Sequence, residues 1–355
     1  MPLPNIIAGP ILRRVDKDSV SVWVACTKNL HLTLRIYDGD GIKMSAPSGS
    51  NFPATSGSPT EIQTSSAQAT TVQFGKHLWI AVITARIQSP TLQAKKIYSY
   101  NVQFEDLDSP GMRGDLRTDG LLSDKHLGVK QEPLGYDKNT LPTFLLPGDQ
   151  PAELVIAQAS CRKMHGKGPD ALSYLDKIIK DNRVKPDKRP QQLFLTGDQV
   201  YADDVPGPLL RLIGVLSGLS LGLDETVKIE KSNGKKVDVE ADIINFPPYL
   251  RQWLMTEQAG FSSGSARNHV ISFGEFCALY LNYWSLRSWN PDLVASLGRI
   301  QKDNKDSTLT TEATNLLDDT AVEHDPNLKS MYQDHEGVRS SLFLSLIHIS
   351  EPTRL

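Results

Sequence analysis

The chain has 355 residues, of which 39% are hydrophobic, with 38 basic and 41 acidic side chains. This length and apolar content suit two folded domains, with room for insertions, and the balanced charge, without long runs of one sign, gives no indication of a nucleic-acid-binding or membrane surface. Cys26, Cys161 and Cys277 are too few and too scattered for a disulfide framework, and the N-terminus "MPLPNIIAGP" lacks the pattern of a secretory signal, so we expect a cytoplasmic protein.

The N-terminal third of the chain alternates apolar and polar residues. This period of two, interrupted by turn residues, is typical of antiparallel strands and predicts a β-sandwich. Residues 45–71 are rich in Ser, Thr and Pro, which predicts a surface loop. We expect residues 1–131 to form the sandwich domain and residues 132–152 to be a linker. The predicted strands are "SVSVWVAC" (19–26), "HLTLRIYD" (31–38), "HLWIAVITARI" (77–87) and "IYSYNVQF" (97–104).

A different pattern begins at residue 153. "ELVIAQASC" (153–161) and "QQLFLTG" (191–197) read as parallel strands buried on both faces. Between them, apolar residues recur at helical spacing from near Gly168 to Asn182. A strand, a helix and a strand in this order form a βαβ unit, whose two strands end at the same edge of the sheet. We therefore expect an α/β domain over residues 153–343.

Three later segments have readable patterns. The apolar stretch 208–223 is too short and too interrupted by glycine to span a bilayer, and we expect a buried or lid helix. Asn233-Gly234, flanked by alternating valines and isoleucine, predicts a hairpin. "SFGEFCALYLNYWSLRSW" (272–289) predicts an aromatic-rich helix with Cys277 as a small core residue. Residues 299–329 are polar and predict a mobile loop with one short helix.

The stretch "LFLTGDQVYADD" (193–204) places acidic and phenolic side chains at the end of the second predicted strand. The βαβ geometry brings Cys161 next to Asp198, and Tyr201 follows three residues later. A carboxylate that can bridge two cations, a phenol that can ionise against a trivalent metal and a thiolate form a partial metal site. Asp204 is a further candidate ligand, whereas we expect Asp203 to be solvated. The alternative is that Asp198 caps a turn, Tyr201 packs and Cys161 is buried.

Two basic residues near the first strand end are candidates for substrate binding. Arg162 could hold a phosphate with two parallel hydrogen bonds, and His165 could donate a third. Solvation at the surface, or a hydrogen bond to the loop backbone, is the alternative for each of them.

Two motifs together resemble the alkaline phosphatase D (PhoD-like) metallophosphoesterases, which are related to purple acid phosphatases. They are "ASCRKMHGKGPDALSYLDKII" and "RPQQLFLTGDQVYADD", and the N-terminal "AGPILRRVDKDSVSVWVACT" resembles the β-sandwich that precedes the catalytic domain in that family. The resemblance implies a β-sandwich followed by a calcineurin-like α/β metallophosphoesterase domain. It also implies hydrolysis of a small phosphate-ester substrate at a centre of Fe³⁺ with a second metal, commonly Ca²⁺. Asp198 would bridge the metals, Tyr201 would ligate iron, and Cys161 would replace the usual first-strand ligands.

A binuclear centre needs more than three protein ligands, and members of that family supply the others from later strands. One expected motif is an apolar strand that ends in Asp-Asp-His-Glu. Here Asp334, His335 and Glu336 stand in "YQDHEGVRSS" without a preceding apolar strand, so we interpret them as a helix or loop that does not bind metal.

The last residues give a reason for the missing ligands. "LSLIHISEPTR" (344–354) resembles the in-frame translation of a transposase sequencing adapter. We therefore expect residues 344–355 to be an artefactual tail without stable packing, and the natural reading frame to be interrupted near Phe343. The α/β domain would then be incomplete and the chain a poor enzyme. A non-catalytic binding or scaffold module is the rival hypothesis, and a diester or nucleotide substrate is a variant of the first.

Overall fold

The computed structural model describes residues 3–46, 52, 54–126, 129–164, 170–203, 205–264, 266–285 and 287. The predicted loop at 299–329, the motif at 334–336 and the tail at 344–355 lie outside these residues. The strands are β1 (Ile6–Val15), β2 (Ser19–Cys26), β3 (Leu30–Asp38), β4 (Thr64–Ser66), β5 (Gln68–Thr70), β6 (Val72–Gly75), β7 (Leu78–Ile87), β8 (Ile97–Asp106), β9 (Arg113–Asp115), β10 (Lys125–His126), β11 (Val129–Lys130), β12 (Thr143–Leu145), β13 (Ile156–Ala159), β14 (Gln192–Leu195), β15 (Thr226–Glu230) and β16 (Lys236–Glu240). The α-helices are α1 (Ala171–Asp181), α2 (Gly207–Val215) and α3 (Phe273–Trp284).

Two antiparallel sheets make up the N-terminal part of the chain. One has the strand order β1-β2-β7-β4, with β6 also paired to β7. The other has the order β12-β8-β3-β5, with β9 also paired to β8. β2 and β7 pair without a break from Ser19 opposite Arg86 to Cys26 opposite Trp79. This part of the protein is β-sandwich-like, as the alternating pattern predicts.

The core of the sandwich is filled by every second side chain of its strands. Val20, Val22 and Val24 of β2 are fully buried, and they share one apolar cluster with Leu32 and Leu34 of β3. Side chains of a strand point alternately to its two faces, so this spacing directs the whole set inward. Burial of each such side chain contributes about 1.5–3 kcal/mol, which explains why alternation alone located these strands.

The prediction of a loop over residues 45–71 is wrong for its second half. β4 pairs with β7 in one sheet and β5 pairs with β3 in the other. The chain passes between the sheets at Ala67, whose side chain is buried. Short edge strands are held by backbone hydrogen bonds and can be rich in polar residues, so a composition rich in Ser and Thr did not reveal them.

The stretch predicted to be a linker, residues 132–152, contributes a strand to the sandwich. β12 pairs with β8, with Thr143 opposite Ser99 and Leu145 opposite Ile97. Phe144 between them is fully buried, and its ring centroid lies 5.7 Å from that of Tyr98. The chain therefore adds this strand to the sheet before it enters the βαβ unit.

Helices α2 and α3 cover the outer face of the sheet that contains β1. Ile7 and Ala25 point away from the sandwich core and join Leu210 and Leu279 of the two helices in a second buried cluster. The apolar segment 208–223 forms most of α2 and the π-helical turn after it, as its sequence predicts. Within the part of the chain that the structure describes, no helix combines the length and apolar character needed to cross a membrane.

The predicted hairpin and aromatic helix are both present. β15 and β16 pair around Asn233-Gly234, with Val227 opposite Val239, and Gly234 has the positive φ that this turn requires. Helix α3 begins after Ser272, whose hydroxyl accepts a hydrogen bond from the backbone N–H of Glu275. Cys277 is only half-buried in α3, rather than a core residue.

The βαβ unit consists of β13, α1 and β14. The two strands are parallel, with Ile156 opposite Gln192 and Ala159 opposite Leu195. The expectation that both strands are buried on both faces is wrong here, because Ile156 is 50% exposed and Phe194 is 49% exposed. Parallel strands are buried on both faces when further strands and helices cover them. Among the described residues, each of these strands has the other as its only neighbour.

Candidate metal centre

Cys161 and Asp198 lie together just beyond the ends of the two parallel strands. The backbone N–H of Thr196 donates to the carbonyl oxygen of Ala159 at 3.0 Å, and that of Arg162 donates to the carbonyl oxygen of Asp198 at 2.8 Å. Parallel strands direct their carboxyl ends to one edge of a sheet, which is where α/β proteins usually bind ligands. The expected juxtaposition of the two residues is therefore present.

Gly197 lets the first turn, which follows β13 and carries Cys161, and the second turn, which follows β14 and carries Asp198, approach each other closely. A Cβ atom at this position would lie 2.7 Å from the Cys161 sulfur and 2.7 Å from the Ser160 hydroxyl oxygen. Real Cβ atoms do not approach other atoms at that distance, so any other residue would push the two turns apart. The absence of a side chain at Gly197 thus allows the Cys161 thiol to lie close to the second turn.

The Cys161 thiol accepts hydrogen bonds from both turns. The Tyr201 hydroxyl is the strongest influence on it and lowers the pKa of the thiol below its ordinary value. The Ser160 hydroxyl, 3.6 Å from the sulfur, and a backbone hydrogen bond from Asp198 act in the same direction. The negative charge of Asp198 opposes them. The side chain is exposed, so the site presents an accessible thiol that ionises more readily than a free cysteine.

The pKa of Tyr201 is shifted in the opposite direction. Its hydrogen bond to the Cys161 sulfur raises the pKa of the phenol to about 12, with smaller contributions from burial and from the charges of Asp198 and Asp203. The Lys163 ammonium lies 5.9 Å from the centroid of the tyrosine ring. The phenol therefore stays protonated at neutral pH and serves as the hydrogen-bond donor to the Cys161 sulfur.

Arg162 is held away from solvent by partners that the sequence did not reveal. Its Nε and Nη2 atoms lie 2.9 Å and 2.8 Å from one carboxylate oxygen of Asp170. The guanidinium carbon lies 4.5 Å from the ring centroid of Trp284, and the residue is 6% exposed. Contact with a substrate remains a prediction for Arg162, but the observed contacts fix the Cys161 turn against α1 and α3.

Asp170 also caps helix α1. Its second carboxylate oxygen accepts a hydrogen bond from the backbone N–H of Leu172 at 3.0 Å. An aspartate directly before a helical apolar pattern is a known start signal, so the sequence contained this information, although the prediction placed the helix start near Gly168. That glycine lies outside the described residues, as do His165 and Asp204.

The donors that the structure brings together are Cys161, Asp198 and Tyr201. Within the described ranges, no cluster contains three or more of His, Cys, Asp and Glu in positions to share a metal ion. The donor set is thus one thiol, one exposed carboxylate and one phenol, supplied by two adjacent turns. A thiolate and two anionic oxygens suit part of the coordination sphere of a trivalent iron.

A cleft of about 530 Å³ runs along the whole of β14, and none of Cys161, Asp198 and Tyr201 lines it. Residues of β14, β1 and α3 line it, and no residue of β13 does. Gln199, directly after Asp198, is among its lining residues. The cleft is therefore lined by β14 and not by β13.

The chain matches no protein-family model and no curated protein. The resemblance to PhoD-like enzymes therefore remains a prediction based on the two motifs. The structural support for a metal centre is the geometry of the donors at the two strand ends.

Alkylation of the three cysteines provides a first test of the site. We expect iodoacetamide to modify Cys161 first, because burial raises the pKa of Cys26 and raises that of Cys277 to about 11. Tyr201→Phe removes the hydrogen bond that lowers the Cys161 pKa, so that pKa should rise and modification near pH 8 should slow. Mass spectrometry of digests, taken across a series of pH values, measures each site separately. An unchanged pH profile in the variant would show that the tyrosine does not influence the thiol.

Proposed function

We propose that the chain forms part of a metal centre that hydrolyses phosphate esters, with Cys161, Asp198 and Tyr201 as metal ligands. The observation that supports the proposal is the meeting of these three donors at the ends of two neighbouring parallel strands. Asp204 as a further ligand, and Arg162 and His165 as phosphate contacts, belong to the same proposal. The metals are Fe³⁺ and Ca²⁺, and the domain is an α/β metallophosphoesterase domain.

The chemistry of the donors favours this pair of metals. Ca²⁺ takes oxygen ligands, so the thiol of Cys161 is available only to iron. The Asp198 carboxylate has two oxygens and would be the ligand shared by the two cations. When bound, the two cations would activate water and stabilise the charge that develops on the phosphate oxygens.

Each of the three candidate ligands has a defined role in the proposal. Cys161 contributes a thiolate whose formation the surrounding hydrogen bonds already favour. Tyr201 would hold iron as a phenolate, and the proton that it now donates to the Cys161 sulfur would pass to solvent. The Asp198 carboxylate would hold both cations. The exposed position of the two strand ends leaves room for a small phosphate ester.

The test is to load the full chain with Fe³⁺ and Ca²⁺ and to assay p-nitrophenyl phosphate and bis(p-nitrophenyl) phosphate. We expect bound iron and low turnover that a chelator abolishes, because three protein donors hold a metal weakly. Turnover of the diester alone would identify diesters as the substrate class. A chain that takes up no iron and hydrolyses neither ester would contradict the proposal and favour a binding or scaffold module.

A further inference from the structure

Gln199 links the two turns that carry the candidate ligands. Its side-chain nitrogen donates to the carbonyl oxygen of Ser160 at 3.0 Å and to that of Gly197 at 3.0 Å. Only the amide nitrogen can donate to a carbonyl oxygen, so these two contacts define the orientation of the amide group. The side-chain oxygen faces the other way and is buried without a hydrogen-bond partner among the described residues.

The two carbonyl groups belong to the residues immediately before Cys161 and Asp198. The regular pairing of the strands ends with the hydrogen bond from Thr196 to Ala159, at 3.0 Å. The next backbone bond, from Arg162 to Asp198, lies beyond the thiol. Between these two bonds the Gln199 amide links the two backbones through the carbonyl groups of Ser160 and Gly197.

The bridge lies where the two turns approach each other closely. A Cβ atom at position 197 would lie only 2.7 Å from the Cys161 sulfur, so the sulfur packs closely against the turn that carries Gly197. If the Ser160 and Gly197 carbonyl groups were released, the two turns could separate by an amount that matters at metal–ligand distances of roughly 2.0–2.3 Å.

We propose that Gln199 is a positioning residue of the metal centre, which joins the backbones of Ser160 and Gly197 so that the Cys161 sulfur and the Asp198 carboxylate reach the same ion. This proposal rests on the proposed function. Gln199 itself does not bind the metal. Residues that orient metal ligands typically contribute 10–100-fold to metal affinity, and we expect an effect of about that size here.

The chain offers a matched control for this residue. The Gln158 side-chain nitrogen donates to the Thr196 hydroxyl oxygen at 2.7 Å and so also links β13 to the residue that follows β14. That link is within the paired region, not at the turns. Gln158→Met and Gln199→Met each remove one cross-strand amide and keep the length of the side chain. Gln199→Glu is a second test variant, since a carboxylate cannot donate to either carbonyl oxygen.

The experiment measures binding of Co²⁺ by the full chain through the charge-transfer band of a cobalt–thiolate bond. We expect the wild-type chain and Gln158→Met to bind with affinities within about twofold of each other. Gln199→Met and Gln199→Glu should bind about 10–100-fold more weakly and give a weaker thiolate band at saturation. In the metal-free protein, exchange of the Arg162 amide hydrogen should be about tenfold faster in the Gln199 variants, which corresponds to the loss of roughly one hydrogen bond.

The outcomes separate the two proposals. If the wild type binds Co²⁺ and the Gln199 variants bind it equally well with the same band, the positioning role is wrong while the metal centre stands. If the wild type gives no thiolate band, the metal centre itself is wrong, and the positioning role is overturned with it. Equal loss of affinity in Gln158→Met would also overturn the specific role, because any cross-strand amide would then serve.

Discussion

Asp198→Asn should weaken iron binding by at least about 100-fold. Among the three donors that the structure brings together, only the Asp198 carboxylate has two anionic oxygens, and a neutral amide can neither bridge two cations nor balance their charge. Loss of a residue that merely orients a ligand already costs 10–100-fold, so loss of the bridging ligand should exceed that range. Iron content after gel filtration and titration with Fe³⁺ measure the change, and any hydrolysis of p-nitrophenyl phosphate should disappear with it.

Asp203→Asn is the matched control for this prediction. Asp203 lies five residues after Asp198, and its substitution changes the net charge of the chain by the same amount. We expect the Asp203 carboxylate to be solvated. The control variant should therefore keep its iron within about twofold of the wild type. Similar losses in both variants would mean that the general negative charge of the turn, and not the position of Asp198, attracts the metal.

Glu275→Gln should destabilise the protein by about 3–5 kcal/mol. Both Glu275 carboxylate oxygens accept hydrogen bonds from Arg251, at 2.7 and 2.8 Å, and both side chains are essentially inaccessible to solvent. The substitution leaves the guanidinium buried beside a neutral group, and an uncompensated buried charge costs that amount. Urea unfolding followed by tryptophan fluorescence measures the change, since Trp253 and Trp284 lie in the same part of the chain.

Two further variants show whether burial is the cause. Asp238→Asn removes an exposed pair with Lys228, in which both side chains are more than half exposed, and should cost less than about 1 kcal/mol. Replacing both buried partners, with Arg251→Met and Glu275→Leu, should recover much of the stability lost in Glu275→Gln, because no charge is then left unpaired. A loss in Glu275→Gln no larger than that in Asp238→Asn would contradict the prediction.

The sequence predicted most reliably those strands in which apolar residues alternate with polar ones and the apolar face is buried. The alternation of Val20, Val22 and Val24 located β2 to the residue, and Asn233-Gly234 located the hairpin. It failed for β4 and β5, whose pairing depends on backbone atoms rather than side chains. It also overestimated the burial of Ile156 and Phe194, because an apolar run does not state how many neighbours will cover it.

The candidate metal site was likewise predictable only in part. The βαβ rule was sufficient to bring Cys161 and Asp198 together, since it depends only on strand direction and connection. The partners that fix them were not visible in the sequence. Asp170, which holds Arg162, and Gln199, which joins the two turns, act through hydrogen bonds across 8 to 39 residues of chain. No local pattern encodes such a contact, because it depends on the path of the intervening chain.

The colour of the iron-loaded protein tests the central claim most directly. If Tyr201 binds Fe³⁺, the full chain loaded with Fe³⁺ should show a visible phenolate-to-iron absorption band. Tyr201→Phe should remove the band, whereas Tyr174→Phe, which alters an exposed tyrosine of α1, should leave it unchanged. An iron-loaded wild type without the band, or a band that persists in Tyr201→Phe, would contradict the assignment of this tyrosine and with it the metal centre at the strand ends.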